Sequence, residues 1–113
     1  QDIAMTIKRK VLYGLSTGAK VTVGIIASGI AVTGAGVFHG IIIKCDGTND
    51  VTLNVFDSLT ATGTQLIPTD SVFDGTVRLA SISFSPGINY DTGLYIEITC
   101  AGSTEIMAMY NAE

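Results

Sequence analysis

Charge is scarce in this sequence. Six basic and ten acidic side chains make 14% of the chain, against roughly 25% in an ordinary soluble domain. Thr, Ser, Gly and Asn take their place. A polar surface with few ions is cheap to strip of water, and loss of charge is a mark of interface cores. A chain of 113 residues is expected to form one domain and can bury a core without staples.

Other absences remove whole classes of chemistry. Cys45 and Cys100 are the only cysteines and form no CxxC, so no zinc pattern exists; each is expected at the end of a strand, more often as a buried thiol than as a bridge. His39 is the only histidine. Its neighbours Val37, Phe38, Gly40 and Ile41 place it in an ordinary strand, not beside a nucleophile and a carboxylate. No GxGxxG or phosphate loop opens a helix. Asp46, Asn49 and Asp50 in one loop, with Asp70 and Asp74 in another, supply oxygen but lack the spacing of a calcium loop; Asp and Asn also favour turns by themselves. There is no Trp, and a shallow sugar site would have to be built from Tyr13, Tyr90 and Tyr95, which serve equally as cross-strand packing residues. The reading is therefore of a protein that is not an enzyme and needs no cofactor or metal.

The few charges are segregated. Lys8, Arg9, Lys10 and Lys20 face only Asp2 within the first 20 residues, a local net charge of +3; nine acids against Lys44 and Arg78 leave −7 on the rest. The chain divides into a basic N-terminal arm or first strand (1–20) and an acidic body (21–113) within one domain. Lys8, Arg9 and Lys10 are the candidate partner-binding residues, docking the arm by complementary fields; a solvated basic strand is the plainer alternative. Three adjacent charges are too small a footprint for nucleic acid.

Residues 24–43 carry no Lys, Arg, Asp or Glu, and Gly36 and Gly40 have GxxxG spacing, so a membrane helix has to be considered. Five glycines cut that stretch into short β-branched pieces, which read as strand, turn, strand. No membrane association is expected.

The rest is β-patterned. Eight strands are expected: Met5–Tyr13, Ala19–Ile26, Val37–Cys45, Val51–Phe56, Thr64–Ile67, Val77–Phe84 closed by Ser85-Pro86-Gly87, Leu94–Cys100 and Glu105–Tyr110. Val51, Leu53 and Val55 alternate with Thr52 and Asn54; Leu94, Ile96, Ile98 and Cys100 alternate with Tyr95, Glu97 and Thr99. One dry and one wetter face is the habit of antiparallel sheets, and eight short strands with Gly, Asp and Asn turns predict an all-β, two-sheet antiparallel sandwich of jelly-roll type. Two strands break the alternation. Ile41-Ile42-Ile43 is apolar on both faces, and Met107 and Met109 oppose Ile106, Ala108 and Tyr110. An outward apolar face calls for a cover, so Met107, Met109 and Ile42 are the candidate oligomer interface; core filling at a sandwich end is the competing reading of the methionines.

Gly40-Ile41-Ile42-Ile43, the run Gly47-Thr48-Asn49-Asp50-Val51-Thr52-Leu53-Asn54-Val55-Phe56-Asp57, Thr62-Gly63-Thr64 and Gly93-Leu94-Tyr95-Ile96 resemble small tailed-phage capsid decoration (cement) proteins. The resemblance covers roughly 37–110 and rests on turn and strand residues. It implies a jelly-roll-like homotrimer on the outer capsid surface of a virion, bridging subunits of the major capsid protein. The alternative is a receptor- or glycan-binding knob of a phage fibre.

Overall fold

A computed structural model describes residues 19–112, and among these there are nine strands and no helix. They are β1 (Lys20–Val21), β2 (Gly29–Thr33), β3 (Gly36–Lys44), β4 (Val51–Asp57), β5 (Thr64–Gln65), β6 (Ser71–Phe73), β7 (Leu79–Tyr90), β8 (Gly93–Thr99) and β9 (Glu105–Ala112). The expected strand Met5–Tyr13 and the basic triplet Lys8, Arg9 and Lys10 lie outside the described residues.

Two antiparallel sheets result. The first has the order β1-β9-β3-β7; the second has β2-β8-β4-β5, with β6 also paired to β4. The pairs nest: β1 with β9, β2 with β8, β3 with β7, and β4 with β5 and β6. Wrapping one long hairpin onto itself then brings β9 beside β3 and β8 beside β4. This nesting is a jelly roll, in agreement with the sequence expectation. Seven of the eight expected strands fall among the described residues, and β2 and β6 are additional to them.

The core follows from the period of two. Phe38, Ile41 and Ile43 of β3, Val51, Leu53 and Val55 of β4, Leu94 and Ile96 of β8, and Ile106 and Ala108 of β9 have no exposed surface. Phe38 and Phe84 pack with ring centroids 5.5 Å apart and tilted by 52°, a favourable arrangement for two quadrupoles. The isoleucine triplet splits across the sheet: Ile41 and Ile43 point in, and Ile42 points out.

Several boundaries differ from the expectation. Ala19–Ile26 is a strand only at Lys20–Val21, with one further bridge from Ile25 to Ile106. Residues 24–43 fold as strand, turn, strand, with β2 and β3 separated at Gly34 (φ +97°). β2 and β6 had no periodic signal of their own; edge strands this short need only one neighbour. β7 does not stop at Ser85-Pro86-Gly87. It pairs with β3 as far as Ser83, bulges, and resumes at Ile88 opposite Phe38. Pro86 falls in that bulge, where no ladder N–H is required of it. The outer side of β4 is also drier than its alternation implies: Asn54 and Phe56 are each 6% exposed.

Buried polar groups tie the ends together. The Asn54 amide donates to Asp70 Oδ1 and Glu97 Oε1, each at 2.9 Å, and its Oδ1 accepts from the Asp70 N–H at 2.7 Å. Asp57, ending β4, accepts N–H bonds from Asp91, Thr92 and Gly93 in the β7–β8 turn. Burial alone raises the Asp57 carboxyl, but the three donors outweigh it and hold it below the ordinary carboxylate range.

Two predictions follow from this core. Ile41→Ala should lose about 2–5 kcal/mol by cavity formation, whereas Ile42→Ala, one residue on, should lose about 1 kcal/mol or less; chemical denaturation of the pair measures the contrast. Because the folded-state pKa of Asp57 is depressed, its contribution is complete above the unfolded value of about 4 and disappears as pH falls through the folded value. Urea midpoints between about pH 7 and pH 2 should therefore fall less steeply in Asp57→Asn than in the wild type.

Candidate assembly surface

The side of the first sheet that faces away from the core carries an apolar centre. Register sets Ile42 of β3 between Met107 of β9 and Ser81 of β7, and Gly40 between Met109 and Ser83. Val21 of β1, 47% exposed, continues the row beyond Met109. Ile42, Met107 and Met109 are half-buried and take no part in the core cluster or the side chains packed against it. The structure thus brings the three candidate interface residues into one patch. Methionine is unbranched and polarisable and adapts to an imperfect partner surface.

Gly40 shapes this patch. Its φ of +150° suits glycine, and a Cβ there would run into the Ile82 carbonyl and lie 2.8 Å from the Met109 methyl. The missing side chain lets Met109 lie across the sheet beside the β3 bulge at His39. Polar groups rim the patch. At one end His39 Nε2 and Asn111 Oδ1 are 2.6 Å apart; at the other Lys44 is in register with Glu105. An apolar centre with a polar rim is the anatomy of a protein–protein contact.

The remaining candidates have other duties. Asp46 accepts from the Asn49 amide, the Asn49 N–H and the Thr48 N–H, all at 2.7 Å, and these bonds lower its pKa to about 2. Asp74 accepts from the N–H and hydroxyl of Thr76. The two Asp-Gly-Thr turns meet where Asp50 accepts the Gly75 N–H at 2.9 Å. These carboxylates hold their own loops, and among the described residues no three His, Cys, Asp or Glu side chains group to hold a metal ion. Cys45 is buried and Cys100 half-buried, both as free thiols; burial, then the neighbouring Cys100 and carboxylates, push the Cys45 thiol up, away from the reactive thiolate. Tyr90 is only 1% exposed and its hydroxyl has no hydrogen-bond partner. It is a core residue and cannot line a sugar site; Tyr95 stands on the outer face of the second sheet and Tyr13 lies outside the described residues. Lys44 and Arg78 share an open cleft of about 380 Å³ with Asp46 and Glu105, a balanced set rather than a basic patch.

Sequence reasoning missed the structural parts of Asn54 and Asp57. Both look like ordinary polar residues of a strand and its end; only the fold brings Asp70, Glu97 and the 91–93 backbone to them. Comparison with protein families, curated proteins and solved structures finds no match to this chain.

Gly40→Ala should destabilise the fold by about 3 kcal/mol, from strain of a Cβ residue at positive φ and the clash with β7. Thermal unfolding of this variant beside Gly47→Ala, which is strained at φ +94° but whose nearest contacts are the flexible Arg78 guanidinium at 3.3 Å, tests whether the β3 bulge is the costlier site.

Proposed function

We propose that the chain is a structural subunit of a phage virion, decorating the outer capsid surface and bridging subunits of the major capsid protein. The observation that supports this reading is the apolar centre of Ile42, Met107 and Met109 on the outward face of a weakly charged jelly roll. Covering that patch costs little desolvation of ions. A standard protein interface buries roughly 1,600 Å² in total. A subunit that binds only the closed lattice stabilises it by mass action, and several linked copies add avidity. Lys8, Arg9 and Lys10 would add electrostatic steering toward an acidic lattice.

Co-sedimentation with undecorated phage heads tests the reading. Saturable binding and a higher shell disruption temperature are expected. Ile42→Lys with Met109→Lys should weaken binding at least tenfold with the fold intact, because two buried unpaired charges oppose the contact. Deleting residues 1–12 should slow or abolish attachment. Failure of the intact chain to bind heads, or a glycan array signal lost on Tyr95→Ala, would replace this reading with the fibre-knob alternative.

A further inference from the structure

Among the described residues β7 is an edge of the first sheet, and at 12 residues it is the longest strand there. β3 is its only strand partner among the described residues. Alternate residues of an edge strand aim their N–H and C=O groups away from the sheet, which makes a template for another strand. Protein edges are normally blunted by charge, by proline or by a bulge. From Leu79 to Tyr90 there is no charged residue. Pro86 and the bulge blunt only the upper part, so Leu79–Phe84 is left straight and uncharged, with no second strand partner among the described residues.

The core is incomplete along this same edge. Ala80, Ile82 and Phe84 face inward yet are only partly buried, while their β3 neighbours Ile41 and Ile43 are fully buried. On the outward side Leu79 is 65% exposed, and Val77, just before the strand, is 49% exposed.

We propose that Leu79–Phe84 pairs antiparallel with the same segment of a second copy of this chain, joining two first sheets into one continuous sheet. The segment is self-complementary. A two-fold axis at Ile82 sets Ala80 opposite Phe84 of the second copy, small against large, and Ser81 opposite Ser83. Face parity is preserved, so inward residues of both copies extend one core. Arg78 stays about 20 Å or more from its own counterpart in this register, and no like charges oppose each other within the paired segment. Such an isologous contact closes as a dimer, not as the trimer that the resemblance to decoration proteins implies.

The test is light scattering of the full chain at concentrations up to about 1 mM. The expected mass is twice the 11.8 kDa of one chain. Ser81→Lys with Ser83→Lys places four ammonium groups around the axis, on side chains that are exposed, and should weaken the dimer at least a hundredfold with an unchanged circular dichroism spectrum. Asn89→Lys, beyond the bulge, should leave it intact. Hydrogen exchange of the wild type gives a readout free of any variant: amides of Leu79–Phe84 should exchange more slowly in concentrated than in dilute protein. A monomer at all concentrations, a mass of three chains, a dimer that survives both lysines, or concentration-independent exchange would each overturn the proposal. Head binding by a monomer would sink this inference and spare the decoration reading; a β7 dimer that ignores heads would do the reverse.

Discussion

The architecture depends on the position of β3 between β9 and β7. A strand in mid-sheet has both backbone edges satisfied and offers alternate side chains to opposite faces. In β3 the inward set is Phe38, Ile41 and Ile43, all without exposed surface. Their burial against Leu53, Val55, Leu94 and Ile96 of the opposing sheet closes the sandwich. Once Ile41 and Ile43 are committed inward, Ile42 must face out, and register then places Met107 beside it. The outer apolar patch is thus a geometric consequence of a core strand that is apolar on both sides.

One irregularity carries further consequences. At the bulge, β3 contributes one extra residue, His39, against β9, while β7 contributes Phe84 through Gly87. Gly40 permits the backbone turn and the close approach of β7, and the vacancy above it receives Met109. The same irregularity divides β7 into a straight lower segment and a blunted upper one. The shape of the outer face and the availability of the edge therefore have a common origin.

Polar residues do local structural work. Asp46, Asp74 and Asp57 hold turns through backbone N–H groups, and Asn54 joins β4 to Glu97 and to the loop at Asp70. Among the described residues, the outer face of the first sheet carries an apolar patch and β7 has β3 as its only strand partner.

The inner alternation of β4, β8 and β9 was legible from residue order alone: Val51–Phe56, Leu94–Cys100 and Glu105–Tyr110 as expected strands lie within two residues of the observed ends. So were the two-sheet class and the placement of Met107 and Met109 on the face opposite Ile106 and Ala108, because period two separates the faces; which face lies outside was decided by the packing of the second sheet. The existence of β2 and β6, the continuation of β7 past Pro86, the burial of Asn54, Phe56 and Tyr90, and the identity of the open edge belonged to the tertiary structure. Each depends on what lies across a sheet or beyond a loop, and pairings between residues tens of positions apart leave no periodic trace along the chain.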